Sequence, residues 1–578
     1  MVDQWLAAGP AVGEMQGAGG GLAGIRTSPG TRVLRVSGKG ATVWVAGDSP
    51  ATQQDLRGTL AAVQEGRWEE LTVWPGSYWV IADNGRHRFV CGDLAGIRPV
   101  YYTPSGRWAT DVRELGVRLM PDLALAAARI TAGEHWPGRS PYMGIALVPG
   151  GYGLLLTPGA PPRLADVSAI TPVSDLHVGA ARFGLALTEA VEHRVSVATE
   201  TVGADLSGGL DSSTAALLAN RVGAVHAVTY TDGYTSAEDA SFATRVAQHA
   251  GLRHTVARGT TATLPFGFPP GQPTGLEPAL GAAIYAMDRA YLAPVAGLPL
   301  HLTGHGGDVV LDATSAAWVR LLQDGRRREA HRHVVEFARL RNIAPGPYWK
   351  QLRHTAALGR PGALDEAATR LEKNRLQPGP PAAGWSWCRL GTATPWLTAD
   401  GRAEVAALLR QAAADPLSPQ QADIHDEWSA LRLGGASARA WSPYAEALRV
   451  RPVHPYLDNT VVRAAFAVPA LARRGLYVFK PLLAAALPDL PGWLLGRRSK
   501  GSFTPQRIAS FQQHQGLLTE LLAVSPLATA GLIDSDAATS TLQHVAEGRS
   551  ATGIGELHHL LVTSWWLTGQ TRPTEAAC

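Results

Sequence analysis

At 578 residues the chain has room for two or more domains, each with a full core. Its 46 % hydrophobic and 17 % charged residues fit a soluble globular protein, and a formal charge of +4 is too small for a dedicated nucleic-acid binder. Three scattered cysteines (Cys91, Cys388, Cys578) without a CxxC or Cys/His pattern argue against structural zinc and for a reducing compartment. The N-terminus lacks a basic-then-apolar signal segment and no run of about 18 apolar residues could span a bilayer, so a cytoplasmic protein without membrane or nucleic-acid partners is expected.

Residues 1–30 are rich in Gly and Ala, with GAGGG at 17–21, and are expected to include a mobile loop. From Arg32 to about Leu156 short β-like runs dominate (RVLRVS, ATVWVAG, YWVIAD, HRFVCGD, YGLLL), and Asp83-Asn84-Gly85 marks a hairpin. Cys91 falls inside one of these strands and reads as core. Pro161-Pro162 and the residues up to Asp175 read as a linker. A helix follows over about Val178–Val195, with Phe183, Leu187 and Val191 on one face.

The apolar strand Val202–Leu206 then breaks into Ser207-Gly208-Gly209 and enters an Ala/Leu-rich helix near Asp211. Strand, small-residue loop and helix N-terminus form a phosphate cradle, because glycines let the backbone approach an anion that the free N–H groups of the first turn then bind. The hydroxyls of Ser207, Ser212 and Ser213 add donors, and Asp211 calls for a divalent cation between itself and a phosphate. A second strand, Val225–Tyr230, leads to a helix over Ser236–Ala250, with Ser236 and Asp239 spaced as a capping box and Gly251 as a stop. A third strand, Leu298–Thr303, ends in Gly304-His305-Gly306-Gly307-Asp308. Strands alternating with helices predict a parallel, doubly wound sheet with its ligand site at the carboxyl ends of the strands. Residues 315–450 are largely helical in pattern, and the basic stretch around Arg326-Arg327-Arg328 is either a solvated helix face or a patch for an acidic peptide or partner protein. Trp565 and Trp566 near the C-terminus read as core or domain-contact aromatics.

The string SGGLDS resembles the pyrophosphate loop of the N-type ATP pyrophosphatases, which cleave ATP between the α and β phosphates. GDLAGIRPVYY, from Gly92, resembles the end of the glutamine amidotransferase domain of asparagine synthetase B. LTGHGGDVVL, VRPVHPYLD and RRSKGSF resemble segments of the asparagine and β-lactam synthetases. The resemblance implies an α/β protein: an N-terminal amidotransferase-like (Ntn-type) layered β-rich domain, residues 1–165, and a C-terminal doubly wound ATP-pyrophosphatase domain with helical additions, residues 175–578. It implies ATP and Mg²⁺ as cofactors. Ser207, Gly208, Gly209, Asp211, Ser212, Ser213, Thr303, Gly304 and Lys480 would then face ATP, Asp211 and Asp308 would hold Mg²⁺, and Lys500 would be the catalytic lysine.

Departures from the family pattern narrow the reading. A working amidotransferase domain exposes a cysteine nucleophile at its mature N-terminus, whereas position 2 here is Val2, so this half is not expected to hydrolyse glutamine and would serve as a structural half or docking surface. Arg451, Val453 and Val309 replace the family's Glu, Arg and Glu. His305 stands on the acceptor side, either as a base or as a loop-bonded imidazole, and His454 and Glu277 are further acceptor-side candidates. The combination is most similar to the lasso peptide cyclases, macrolactam synthetases that adenylate an Asp or Glu side chain of a leader-free peptide and join it to the peptide's α-amine. That implies a precursor-derived peptide substrate, with a leader peptidase and a leader-recognition protein as partners. A β-lactam synthetase, an ammonia-dependent asparagine synthetase and a non-catalytic scaffold are the alternatives.

Overall fold

The computed structural model describes residues 6–8, 25–27, 33–38, 40–173, 175–375, 384–498 and 500–571. Val2, Cys578 and most of the Gly-rich stretch before residue 30 lie outside the described residues.

The N-terminal half is built from two antiparallel sheets. One has six strands in the order Arg163–Asp166, Tyr152–Leu156, Arg88–Cys91, Ser77–Asp83, Ala41–Asp48 and Val33–Gly38. Trp44, Trp79, Ile81 and Val90 on one face of it meet Trp108 of the other sheet and Val100 and Val148 next to its strands. The opposite face, with Val43, Val45, Val80 and Cys91, packs on Leu56, Leu60 and Val63 of two short helices. Both faces are therefore covered, which is why these strands read as nearly continuous apolar runs. The N-terminal stretch, expected to include a loop, contributes the strands Leu6–Ala8 and Ile25–Thr27 to the five-stranded sheet. The linker contains the strand Arg163–Asp166, which pairs with Tyr152–Leu155. Three- and four-residue strands are too short for a period of two to register in sequence.

The C-terminal half contains a five-stranded parallel sheet: β1 (Val202–Asp205), β2 (Val225–Thr231), β3 (Arg253–Arg258), β4 (His301–Leu302) and β5 (Pro452–Val453), in the order β3-β2-β1-β4-β5. The chain steps outward from β1 to β3, then returns to the other side of β1 for β4, so the crevice at the topological switch opens between β1 and β4. Helix α1 (Leu176–Ala198) buries Phe183, Leu187 and Val191 on the sheet as its periodicity requires. Helices α2 (Leu210–Ala219) and α3 (Ala237–Ala250) follow β1 and β2, α4 (Gly307–Leu311) follows β4, and the 26-residue α5 (Ala422–Ala447) crosses towards the N-terminal half. Strand β4 is shorter than expected because Leu298 is already in a turn onto Val295. The capping box at Ser236 does not form: no side-chain bond caps α3, and Asp239 is bound elsewhere. Trp566 is buried and donates to Gly275 O (2.9 Å), while Trp565 stacks on Phe268.

The halves are joined by buried polar contacts. A Cβ on Gly435 of α5 would sit 1.9 Å from Ala95 O, so only glycine lets the helix meet that loop. Arg432 Nε donates to Gly150 O (2.9 Å). Asp458 accepts from Gly76 N (2.8 Å) and pairs with Arg194 (3.0 Å), which also pairs with Asp48 (2.7 Å). Burial works to raise the Asp48 carboxyl, but Arg194 outweighs it and holds the group below its usual range. Its stabilisation is complete above the unfolded value, about 3.9, and fades as pH falls through the lower folded value. Arg194→Met should cost about 3–5 kcal/mol by stranding Asp458, and urea unfolding should show part of this cost, Asp48's share, shrinking on acidification below about pH 4.

Candidate active site

Two glycine-rich loops meet at the switch point. After β1, Gly208 has φ 75°, and a Cβ there would lie 2.4 Å from Asp239 O. Ser207 and Ser212 share a hydroxyl contact (2.8 Å), and Ser207 N donates to Ser212 Oγ (3.1 Å). Gly209 opens the ten-residue α2 without a side-chain cap, so the first-turn N–H groups keep their capacity for an anion. After β4, a Cβ on Gly304 would lie 2.5 Å from Ser212 N, and one on Gly307 would lie 2.4 Å from Asp211 Cγ. Gly306, φ 90°, turns the chain into α4. The second loop thereby lies directly against the first turn of α2, with Asp211 between them. Tyr456, fully buried, donates to Asp211 O (3.1 Å) and closes the back of this turn.

Asp211 and Asp308 converge on one cation. Lys480 Nζ lies 2.5 and 2.6 Å from the two Asp211 oxygens and 2.7 Å from Asp308 Oδ1. Lys480, expected to face ATP, precedes the helix Pro481–Ala486, with φ 51° and ψ 62° and 2 % exposure. A left-handed lysine is a strained residue held by its surroundings. Lys500 is the outer lysine, 68 % exposed and 3.8 Å from Asp308 Oδ2. Burial pushes the Asp211 carboxyl up, with Lys480 opposing and the Asp308 charge adding to the rise. Burial also acts to raise Asp308, but Lys480 and Lys500 overcome it and hold this group below its usual range.

Among the described residues no group of three or more His, Cys, Asp or Glu side chains is arranged to hold a metal alone. Two carboxylates aimed at one cation position at the mouth of a phosphate cradle suit Mg²⁺, which binds through one or two carboxylates and completes its shell with phosphate oxygens and water. The donor set fits.

Ser213 is fully buried on α2, and among the described residues its Oγ has no hydrogen-bond partner. Other expected site residues have partners of their own. Thr303 Oγ1 is taken by His454 Nδ1 (2.7 Å) and by His305 N (3.2 Å). Glu277 is bound through both oxygens to Arg439, which also donates to Gly96 O, so its carboxylate braces α5 against the N-terminal half. Burial, then neighbouring His305, holds the His454 imidazole well below its usual pKa, leaving it neutral. His305 packs edge-on to His454 with ring centroids 5.4 Å apart, and its Nε2 meets Gly434 O at 2.8 Å. A carbonyl only accepts, so Nε2 carries the hydrogen and the neutral ring's lone pair falls on Nδ1.

A cavity of about 310 Å³ adjoins Asp308, lined by Asp312, Thr314, Asp426, Glu427 and Arg474 among others. Burial pushes the Glu427 carboxyl up to about 7 although Arg473 is bound to it. Sequence reading missed these residues because Asp426 and Glu427 lie inside a long helix and Asp312, Thr314 and Arg474 in short connections, none of them within a recognisable string. The chain matches the family model described as asparagine synthase over residues 182–568. No curated protein matches it.

Proposed function

Because the chain belongs to the asparagine synthase family, whose enzymes use ATP, typically with Mg²⁺, we propose that it is an AMP-forming carbon–nitrogen ligase that closes a peptide macrolactam. The convergence of Asp211, Asp308 and Lys480 under two glycine loops at the β1/β4 crevice carries this reading.

In the proposed reaction the first-turn N–H groups of α2 and the Gly208-Gly209 loop orient the β and γ phosphates. Asp211 and Asp308 would hold Mg²⁺, which when bound supplies charge neutralisation to the departing pyrophosphate. Lys480 and Lys500 balance the two carboxylates and neutralise charge that develops on the α phosphate. An oxygen of an Asp or Glu side chain of the peptide attacks the α phosphorus, and pyrophosphate leaves. The peptide's α-amine then attacks the acyl carbon, His305 Nδ1 takes its proton, and AMP leaves with the carboxylate-derived oxygen.

One observation favours a peptide over ammonia or a small amino acid. Tyr477, Val478 and Phe479 are exposed immediately before Lys480, as is Phe503 just after Lys500, so apolar surface flanks the lysine-bearing segments. Among the described residues the only thiol of the N-terminal half is Cys91, buried and pushed up to about 12 by that burial, so it is unsuited to attack glutamine. The Tyr477→Ser, Phe503→Ser double variant should raise the peptide KM about tenfold, a loss of about 1.4 kcal/mol, while the KM for ATP stays within about twofold.

Incubating the protein with ATP, Mg²⁺ and leader-free peptides that have a free N-terminus and an internal Asp or Glu tests the proposal. A product one water lighter, formed with equimolar AMP, is expected. Turnover with a β-amino acid, or with aspartate plus ammonia, and none with peptides would move the protein to the β-lactam or asparagine branch. Silence throughout would favour a scaffold.

A further inference from the structure

We propose that Asp239 is a positioning residue for Lys500, an inference that rests on the adenylation reading above. Lys500 is mostly exposed, with a 3.8 Å approach to Asp308 as its recorded polar contact, so side-chain packing does little to place it. The backbone on either side is anchored, and to the same carboxylate. Three residues before Lys500, the buried Arg497 guanidinium is bound to Asp239 Oδ1 and lies over the Phe242 ring at 4.4 Å. One residue after it, Gly501 N donates to Asp239 Oδ2 (3.0 Å), and a Cβ at Gly501 would lie 2.4 Å from that oxygen. The same Arg497 donates to Gly208 O in the phosphate loop.

The arrangement brackets the lysine and ties its segment to the cradle that receives the phosphates. It also explains why Asp239, suitably spaced for a capping box, does not cap α3: its carboxylate is claimed from 258 residues away. An exposed lysine on an unanchored segment would sample many positions, and its electrostatic contribution would fall with the fraction of time spent near the reacting phosphate.

A double-mutant cycle separates positioning from general structural support. Lys500→Ala should lower kcat for AMP formation about 100- to 1000-fold, and Asp239→Asn about 10- to 100-fold with the KM for ATP changing less than about threefold. In the Lys500→Ala background Asp239→Asn should cost no more than about twofold further. Gly501→Ala, which crowds the clamp but leaves the carboxylate in place, should show the same loss of effect. Costs that multiply in the double variants would overturn the proposal. Trypsin supplies a readout that needs no turnover: cleavage after Arg498 and Lys500 should accelerate at least about tenfold in Asp239→Asn, with other sites unchanged. Unchanged cleavage there would overturn the clamp whatever the activity. A wild-type protein that forms no AMP, yet shows this protease response, would keep the clamp and remove the adenylation reading.

Discussion

Lys480→Met should abolish AMP formation, with a fall of at least about 1000-fold, while Lys500→Met retains measurable turnover. The difference follows from position. Lys480 Nζ contacts three carboxylate oxygens within 2.7 Å and is buried, whereas Lys500 is at the exposed edge. Removing the inner ammonium leaves Asp211 and Asp308 facing each other with Lys500 as the nearest remaining lysine. Asp211, already pushed up by burial, would then take a proton more readily and lose its capacity as a cation ligand. Losing one partner of a buried ion pair also costs about 3–5 kcal/mol of stability, which thermal unfolding will detect. Added Mg²⁺ should raise the Tm of Lys480→Met less than that of the wild type, because a protonated Asp211 no longer serves as a cation ligand. Lys480→Arg should not restore activity, since a planar guanidinium does not reproduce a point charge shared by three oxygens. Retained AMP formation in Lys480→Met would remove this residue from the centre of the site.

His305→Ala should separate the two half-reactions. Peptide-dependent exchange of pyrophosphate into ATP should stay within about threefold of wild type, while lactam formation falls about 100- to 10,000-fold, the usual contribution of a general base. The expectation rests on the hydrogen bond from Nε2–H to Gly434 O, which leaves Nδ1 as the basic nitrogen of the neutral ring. That bond reconciles the two sequence readings of His305, because an imidazole tied to backbone through one nitrogen is a base at the other. If exchange disappears together with lactam formation, His305 serves the adenylation side and the acceptor assignment is wrong.

The glycine loops were legible because each is a local string at the end of a strand, and the alternation of strands and helices was enough to predict the parallel sheet. Contacts made across the chain were not. Lys480 reaches Asp211 from 269 residues away through a left-handed backbone that no propensity predicts. Asp458, read as part of a family string, binds Gly76 N and Arg194 at the junction of the halves, and Asn459 accepts from Leu94 N beside it. Glu277 shows the converse: a chemically suitable side chain is taken by a partner, Arg439. The local strings and their resemblance to a family named residues of the right chemistry, and tertiary structure decided which remained free to use it.

The most direct test uses a peptide substrate with both oxygens of its reactive side-chain carboxylate labelled with ¹⁸O. Attack on the α phosphorus followed by amide formation transfers one of these oxygens to the nucleotide, so each AMP produced should carry one ¹⁸O atom. Label in inorganic phosphate with ADP as the nucleotide product, or AMP without label, would contradict carboxylate adenylation at this site.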